Sequence, residues 1–404
     1  MTPEFEARVK KAVDDGYLPG VTMLVKDKSG KIDYNFSYGP TSLKPDAPPI
    51  TTNTMLTMAS LTKLITACCI LKMVEGNILD INEDITKYVE TLAKQPVLQG
   101  FDDEGQPILV KRETPFTLRH LLTHTAGTGY ILKEEPLAKW AKATGRPLPV
   151  PLRHSPLSGG MSVDSRWGYP ILFEPGTGWV YGSAMDWAGR LIEKLTGTFF
   201  DDYMHEHVLE PVGVPRGAIT FHPGRFDQPT YDIMAEFGQR STPEGTLEPA
   251  YTEYDNDNEA FGGEGLFGGM GPYMKVLYSL LMDDGKILKP KTAKLLFTPL
   301  MTPVEKAALN EDMKHPEWAV GWIPPSDTGV EYDWGAGGLL SVGGEGLKHR
   351  KKGFLMWGGA WNAAWFIDRE AGVCAVFGTQ IIPPGDAFTR QIVKEFEEAI
   401  YSRL

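Results

Sequence analysis

The feature that most constrains the fold is where the strand-like segments lie. Val21–Lys26 and Lys31–Tyr38 are short apolar and aromatic runs separated by Asp27-Lys28-Ser29-Gly30, a spacing that predicts a hairpin with a turn-prone loop. Comparable runs return only near the other end of the chain, at Glu317–Trp322, Leu339–Val342, Gly353–Trp357, Ala363–Ile367 and Val373–Gly378. Between them the apolar residues recur at helical spacing. Helices are expected at both ends as well, at about 3–15 (Phe5, Val9, Ala12, Val13) and 387–401. Strands at both ends with helices between suggest one antiparallel sheet built from both ends, flanked by helices, with a large helical insertion. The expectation is therefore an α/β (α+β) chain forming a single unit over 1–404. Its sheet lobe would take residues about 1–55 and 315–404, and its helical lobe about 56–314.

The insertion opens on Met58-Ala59-Ser60-Leu61-Thr62-Lys63, just ahead of the apolar helical run Leu64, Ile65, Ala67, Ile70, Leu71 and Val74. Positions three apart share a helix face, so the Ser60 hydroxyl and Lys63 amine can converge at the helix start. A serine hydroxyl is a weak nucleophile until a base takes its proton, and an amine in a dry pocket can assist. Backbone N–H groups at a helix N-terminus suit a developing oxyanion. Ser-x-x-Lys alone arises by chance in many chains and carries chemistry only with partners in the right context. One candidate partner is Tyr181, on the turn Glu174-Pro-Gly-Thr-Gly-Trp-Val-Tyr-Gly-Ser183 ahead of a helical run from Met185 to Leu195. A phenol there can project into a cleft and serve as a second proton shuttle.

Other features narrow the function. A formal charge of −12 argues against nucleic acid or an anionic membrane surface as the partner. The polar, acidic N-terminus is no secretory signal, and no apolar run approaches membrane-spanning length. Three cysteines, two of them adjacent (Cys68, Cys69), make no disulfide framework, which fits a reducing compartment and a cytoplasmic protein. His120 and His124 stand four apart on a short helix closed by a Thr/Gly loop, but no third ligand accompanies them, so hydrogen-bonding roles are expected and no metal. Phe261–Gly271 is glycine-dense without the Gly-Lys-Ser/Thr ending of a phosphate loop, and reads as a close-packed turn leading to a helix at 273–282. Residues 199–216 read as a surface helix. The long irregular stretches 128–170 (Tyr130, Trp140, Trp167, Tyr169) and 222–258 are excursions, the first suited to lining or covering a pocket.

Taken in order, Ser60-Leu-Thr-Lys63, Leu118-Arg-His-Leu-Leu-Thr-His-Thr-Ala-Gly127, Glu174-Pro-Gly with Tyr181-Gly-Ser183, and Trp357-Gly358-Gly359-Ala360 resemble the serine β-lactamase/penicillin-binding-protein-like hydrolases, in their class C β-lactamase and family VIII esterase branch. Within that superfamily the chain is similar to the lovastatin side-chain acyltransferases of fungal polyketide biosynthesis. Matching stretches include Pro96–Asp103, Asp186–Gly189, Gly262–Gly265, Tyr273–Leu277, Lys352-Gly353, Asn362 and Glu397–Tyr401, so the likeness spans nearly the whole chain. The resemblance implies a β-lactamase-like fold, with Ser60 as nucleophile and Lys63 and Tyr181 as its acid/base partners. It makes the backbone N–H groups of Ser60 and Ala360 the oxyanion hole. It implies an acyl group taken from a carrier-protein or CoA-like thioester onto the serine and passed to a polyketide alcohol, with no cofactor. The partners would be a small acyl donor, a hydrophobic alcohol and an acyl-carrier-protein domain of a polyketide synthase.

Trp357, Gly358, Gly359, Trp361, Ser183 and Tyr130 are expected to contact substrate, with Trp357 and Trp361 forming an apolar wall; Trp365 is expected in the core. The chain departs from penicillin-recognising relatives where Tyr181-Gly182-Ser183 replaces Tyr-x-Asn and Trp357-Gly358-Gly359 replaces Lys-Thr-Gly or His-x-Gly. The missing lysine removes a cation for a β-lactam carboxylate, which argues against β-lactamase or peptidoglycan activity. An esterase using the same residues, and a non-catalytic binding protein on the same scaffold, are the alternatives.

Overall fold

The computed structural model describes residues 1–147, 162–225, 234–250, 259–324 and 329–404. Its centre is a seven-stranded sheet. The strands are β1 (Val21–Asp27), β2 (Asp33–Tyr38), β3 (Glu331–Gly335), β4 (Gly338–Gly343), β5 (Phe354–Gly358), β6 (Ala364–Asp368) and β7 (Val373–Gly378). Their order is β3-β4-β5-β6-β7-β1-β2, antiparallel throughout. The two chain ends join where β1 lies against β7, Thr22 opposite Gly378 and Asp27 opposite Val373. Both strands are almost wholly buried and β7 is apolar on both faces, as a central pair covered on two sides should be, while β1 adds Thr22, Lys26 and Asp27 to its apolar run.

Helices supply the two covers. On one face, α1 (Pro3–Asp14) and the terminal α6 (Ala387–Tyr401) meet through Phe5 and Phe396, 5.9 Å between ring centres, and Tyr401 reaches Phe366 of β6. On the other lies α5 (Met270–Met282), where Met274 touches Cys374 of β7. Beyond it sit α2 (Thr62–Glu75), α3 (Leu118–Leu122) and α4 (Ala184–Thr196). Helix α2 is buried nearly all round, Lys63 and Thr66 included, as befits a helix enclosed by others rather than laid on a surface. Cys68, Cys69 and Cys374 are buried free thiols. Among the described residues no helix is long and apolar enough to cross a membrane.

Three expectations change. Glu317–Trp322 is not a strand: Pro316 starts a single 3-10 turn, Pro316–Trp318, which packs both tryptophans inward. The strand is instead Glu331–Gly335, unexpected because it carries a buried aspartate; Asp333 stays there by accepting the Trp334 N–H at 2.7 Å. The 199–216 segment is helical only in pieces (Phe200–Met204, a π turn to Leu209, then Glu210–Val212), and Phe200, Met204, Val208 and Leu209 are core rather than surface. Of the two excursions, 148–161, 226–233 and 251–258 lie outside the described residues.

Candidate active site

Ser60 stands in a 3-10 turn, Ala59–Leu61, that runs directly into α2. The turn is held from both sides. Leu56–Thr57 pairs with Phe267–Gly268, the Met58 N–H bonds Leu266 O at 2.8 Å, and the Tyr273 hydroxyl donates to Leu61 O at 2.9 Å. Ala59 is fixed at φ +46, a left-handed conformation costing an alanine about 1 kcal/mol. Gly359, at the end of β5, lies against this turn so closely that a Cβ there would stand 2.7 Å from Met58 O.

Three side chains from separate elements meet at the serine hydroxyl. The Tyr181 hydroxyl lies 2.7 Å from Ser60 Oγ, and Lys63 Nζ lies 3.2 Å from the same oxygen. Lys63 is buried and donates also to Gly263 O at 2.7 Å and to the Tyr130 hydroxyl at 3.3 Å. The two tyrosines are brought together by a bridge between Gly129 and Gly182, one residue from each. A Cβ on Gly182 would lie 1.9 Å from Thr128 O, so only glycine can follow Tyr181.

The surroundings of Tyr181 are aromatic. The Trp357 indole N–H donates to the Tyr181 oxygen at 2.9 Å, and Trp318, Trp334, Trp357 and Trp179 rings crowd the phenol and one another. His124 lies against the Tyr181 ring, 4.8 Å between centres. Burial, helped by the Lys63 ammonium, holds its imidazole well below the usual histidine range, so it is a neutral packing group. On the far side of Lys63, Gly263 accepts from the ammonium through its carbonyl and donates its N–H to Asp186 at 2.9 Å. Asp186 is fully buried, and desolvation, reinforced by Glu264, raises its carboxyl above the ordinary range.

The expected substrate contacts fall in different places. Tyr130 is half-buried on the lysine. Trp357 is 5% exposed and spends its N–H on Tyr181, so it props the phenol rather than forming an open wall. Trp361 packs in a small cluster with Ala59 and Phe237, edge-on to the phenylalanine at 4.9 Å, because the Trp361 carbonyl ties this turn to Ile381. Ser183 is fully buried where α4 begins, and its hydroxyl has no partner among the described residues. Gly358 ends β5 beside the Ser60 turn, and Gly359 and the partly exposed Ala360 follow it. Trp365, paired with Trp357 across β5 and β6, is fully buried in the core.

His120 and His124 do not share a helix face. His120 closes a capping box with Thr117 on α3, whereas His124 lies past the helix end at φ +57. The hydrogen-bonding role expected of His124 is not met at its buried Nδ1, which has no partner among the described residues, and the sequence suggested no role for Asp186 or Gly263. The buried polar residue in a helix's first turn (Asp186) and the glycine run were the available signals.

The beta-lactamase family profile matches residues 5–396. The chain belongs to the beta-lactamase family. Among its curated beta-lactamase-family relatives is monacolin J acid methylbutanoyltransferase of Aspergillus terreus, 33% identical over 409 residues, covering 98% of this chain and 95% of that protein. Lovastatin esterase of Penicillium rubens is 31% identical over 404 residues, 97% and 96% of the two chains. Among solved structures, unliganded simvastatin synthase (LovD) from Aspergillus terreus superposes with a TM-score of 0.84 at 31% identity, over 99% of this chain and 98% of that one.

Proposed function

We propose that this chain is a serine acyltransferase that takes an acyl group from a thioester, holds it as an ester on Ser60 and passes it to the hydroxyl of a polyketide-type alcohol. The observation that carries this reading is the meeting of an alcohol, an amine and a phenol at one point, 2.7 and 3.2 Å from Ser60 Oγ. In the first half-reaction the Tyr181–Lys63 pair, having first released one proton to solvent, takes the Ser60 Oγ proton as Oγ bonds to the thioester carbon. The tetrahedral oxyanion is held by the backbone N–H groups of Ser60 and Ala360, each worth about 3 kcal/mol when aligned. The C–S bond then breaks and the thiol leaves with the proton from the pair. In the second half-reaction the acceptor hydroxyl loses its proton to the same pair and attacks the acyl-serine. The new ester departs as Ser60 Oγ is reprotonated.

The relative named for methylbutanoyl transfer to monacolin J acid supports the transfer reading, and the acceptor here is taken to be a hydrophobic alcohol of that kind. The donor would be a small thioester or the acyl-carrier-protein domain of a polyketide synthase. The tryptophan shell around Tyr181 favours a dry site, in which a bound alcohol outcompetes water. A second reading, hydrolysis by the same residues, is favoured by the comparable likeness to lovastatin esterase. A partition experiment separates them. The protein is mixed with the N-acetylcysteamine thioester of 2-methylbutyrate, with and without monacolin J acid, and ester product is measured against free acid. Transfer is expected to divert most of the acyl group into ester when the alcohol is present. Free acid in the same amount with or without the alcohol would establish the hydrolase.

A further inference from the structure

We propose that Asp186 is a positioning residue for Lys63: acting through the Gly262-Gly263 backbone, it fixes the carbonyl on which the ammonium rests, and its charge governs how readily the lysine gives up a proton. This rests on the reading of Ser60, Lys63 and Tyr181 as the reacting set. The shortest of the three Lys63 hydrogen bonds, 2.7 Å, goes to Gly263 O, and the Gly263 N–H is held in turn by Asp186 Oδ1 at 2.9 Å. One residue back, Gly262 O accepts from the Thr66 hydroxyl at 2.7 Å. Thr66 lies three positions after Lys63, so one face of α2 grips two successive carbonyls of the glycine segment. Asp186 grips it from the other side, in the first turn of α4, where a helix favours an anion. No side chain fits between them. A Cβ on Gly263 would stand 2.5 Å from Asp186 Oδ2, and one on Gly262 2.6 Å from Met185 O. The carboxyl is therefore pressed on the backbone that carries the lysine's main acceptor.

A purely structural cap does not explain this carboxyl. It is fully buried, yet Oδ2 has no hydrogen-bond partner among the described residues, an arrangement that costs stability when the group is ionised. The charged groups that face it are Glu264, Lys63 and Arg166. Glu264 and Arg166 pair with each other at 3.1 Å, which leaves Lys63 as the charge that answers Asp186. The phenols of Tyr130 and Tyr169 also feel the carboxyl, and burial keeps both of them protonated. On the lysine's own side stand Tyr130, Tyr181, the neutral His124 and the Lys133 ammonium. Desolvation, with Glu264 adding to it, lifts the Asp186 carboxyl above the ordinary range, and Lys63 opposes the shift. An ionised Asp186 favours the ammonium, and a neutral one eases the loss of its proton. The Tyr181–Lys63 pair must shed one proton before Ser60 is activated, and Asp186 is a buried carboxyl whose charge bears on that loss.

The test is the pH profile of kcat/KM for p-nitrophenyl butyrate, between about pH 5 and 9, on the wild type, Asp186→Asn and Asp186→Glu proteins, with circular dichroism to confirm each fold. The acid limb of that profile reports the proton the free enzyme must lose. Asp186→Asn keeps an oxygen for the Gly263 N–H but carries no charge, so its acid limb should move to lower pH by about one unit, whatever the height of its plateau. Asp186→Glu keeps the charge on a stem too long for the gap, so its plateau should fall by roughly tenfold while the limb stays in place. Asp186→Ser, also neutral, is the reserve if the Asn protein does not fold, and the same shift is required of it. A limb that stays in place in the neutral variant, or that moves as far in Asp186→Glu, would overturn the proposal and leave Asp186 a packing residue. Ser60→Ala, measured alongside, tests the reading beneath. Wild-type turnover in Ser60→Ala would remove the acyl-serine, whereas an unmoved limb with an inactive Ser60→Ala protein would remove the role of Asp186 alone.

Discussion

At the residue scale, burial decides which groups are charged. Tyr181 has its oxygen in contact with Ser60 Oγ and the Trp357 N–H at once, and its ring against the Lys63 ammonium at 4.7 Å. A phenolate forming there during proton transfer would keep a donor and a cation without recruiting water. The two histidines of the Leu118–Gly127 motif behave oppositely to acid–base catalysts. Burial, with Arg119 adding to it, pushes His120 down to about 4 from an ordinary value of 6.5; Glu305 opposes the shift. His124 shifts the same way. Between about pH 6.5 and 4 an unfolded chain binds protons that the folded chain refuses, so stability is full above that window and falls as the pH drops through it. The His120 share is about 3 kcal/mol at most. Thermal unfolding followed from pH 7 to 4 should show this loss. His120→Gln keeps an N3 acceptor for the capping box without a titrating ring, and should flatten the slope in part, leaving the His124 share. An unaltered slope would mean that His120 is not held neutral.

At the scale of elements, the reactive hydroxyl owes its position to a turn that is strained and clamped. Ala59 sits at positive φ, the Leu56–Thr57 bridge enters the turn and α2 leaves it. The end of β5 presses on it through Gly359. Gly359→Ala puts a methyl group within 2.7 Å of the Met58 carbonyl, and backbone cannot swing aside as a side-chain tip can. The turn must shift by several tenths of an ångström, and since a misplacement of about 1 Å can cost about a hundredfold, kcat/KM should fall by roughly tenfold. Kinetics on a p-nitrophenyl ester, with circular dichroism to confirm folding, would check this. A fully active Gly359→Ala protein would show that the turn does not depend on β5 for its place.

At the scale of the whole molecule, much of the plan was legible in the chain. The hairpin Val21–Tyr38 and the strands Phe354–Gly358, Ala364–Asp368 and Val373–Gly378 are dense in β-branched and aromatic residues, so periodicity finds them, and pairing the two ends follows from their segregation. The convergence of residues 60, 63 and 181 was suggested by a short spacing and a turn, but its distances come from elements 121 positions apart in sequence. Less legible were features set by tertiary contact. Asp333 and Asp186 are carboxylates inside the molecule, which a reading by polarity sends to the surface. Trp361 and Trp357 read as a wall because both are large and apolar. What separates them is that one indole N–H finds the Tyr181 oxygen while the other ring packs on Phe237, and only the folded path of the strand end determines that. The account's central claim is that the acyl group rests on Ser60 between donor and acceptor. Its most direct test is intact-protein mass spectrometry after mixing with a 2-methylbutyryl thioester in the absence of any alcohol, followed by peptide mapping. The expected result is one added 2-methylbutyryl group, located on Ser60 and absent from Ser60→Ala. An acylated Ser60→Ala protein, or a Ser60→Ala protein that still turns over the thioester at the wild-type rate, would contradict it.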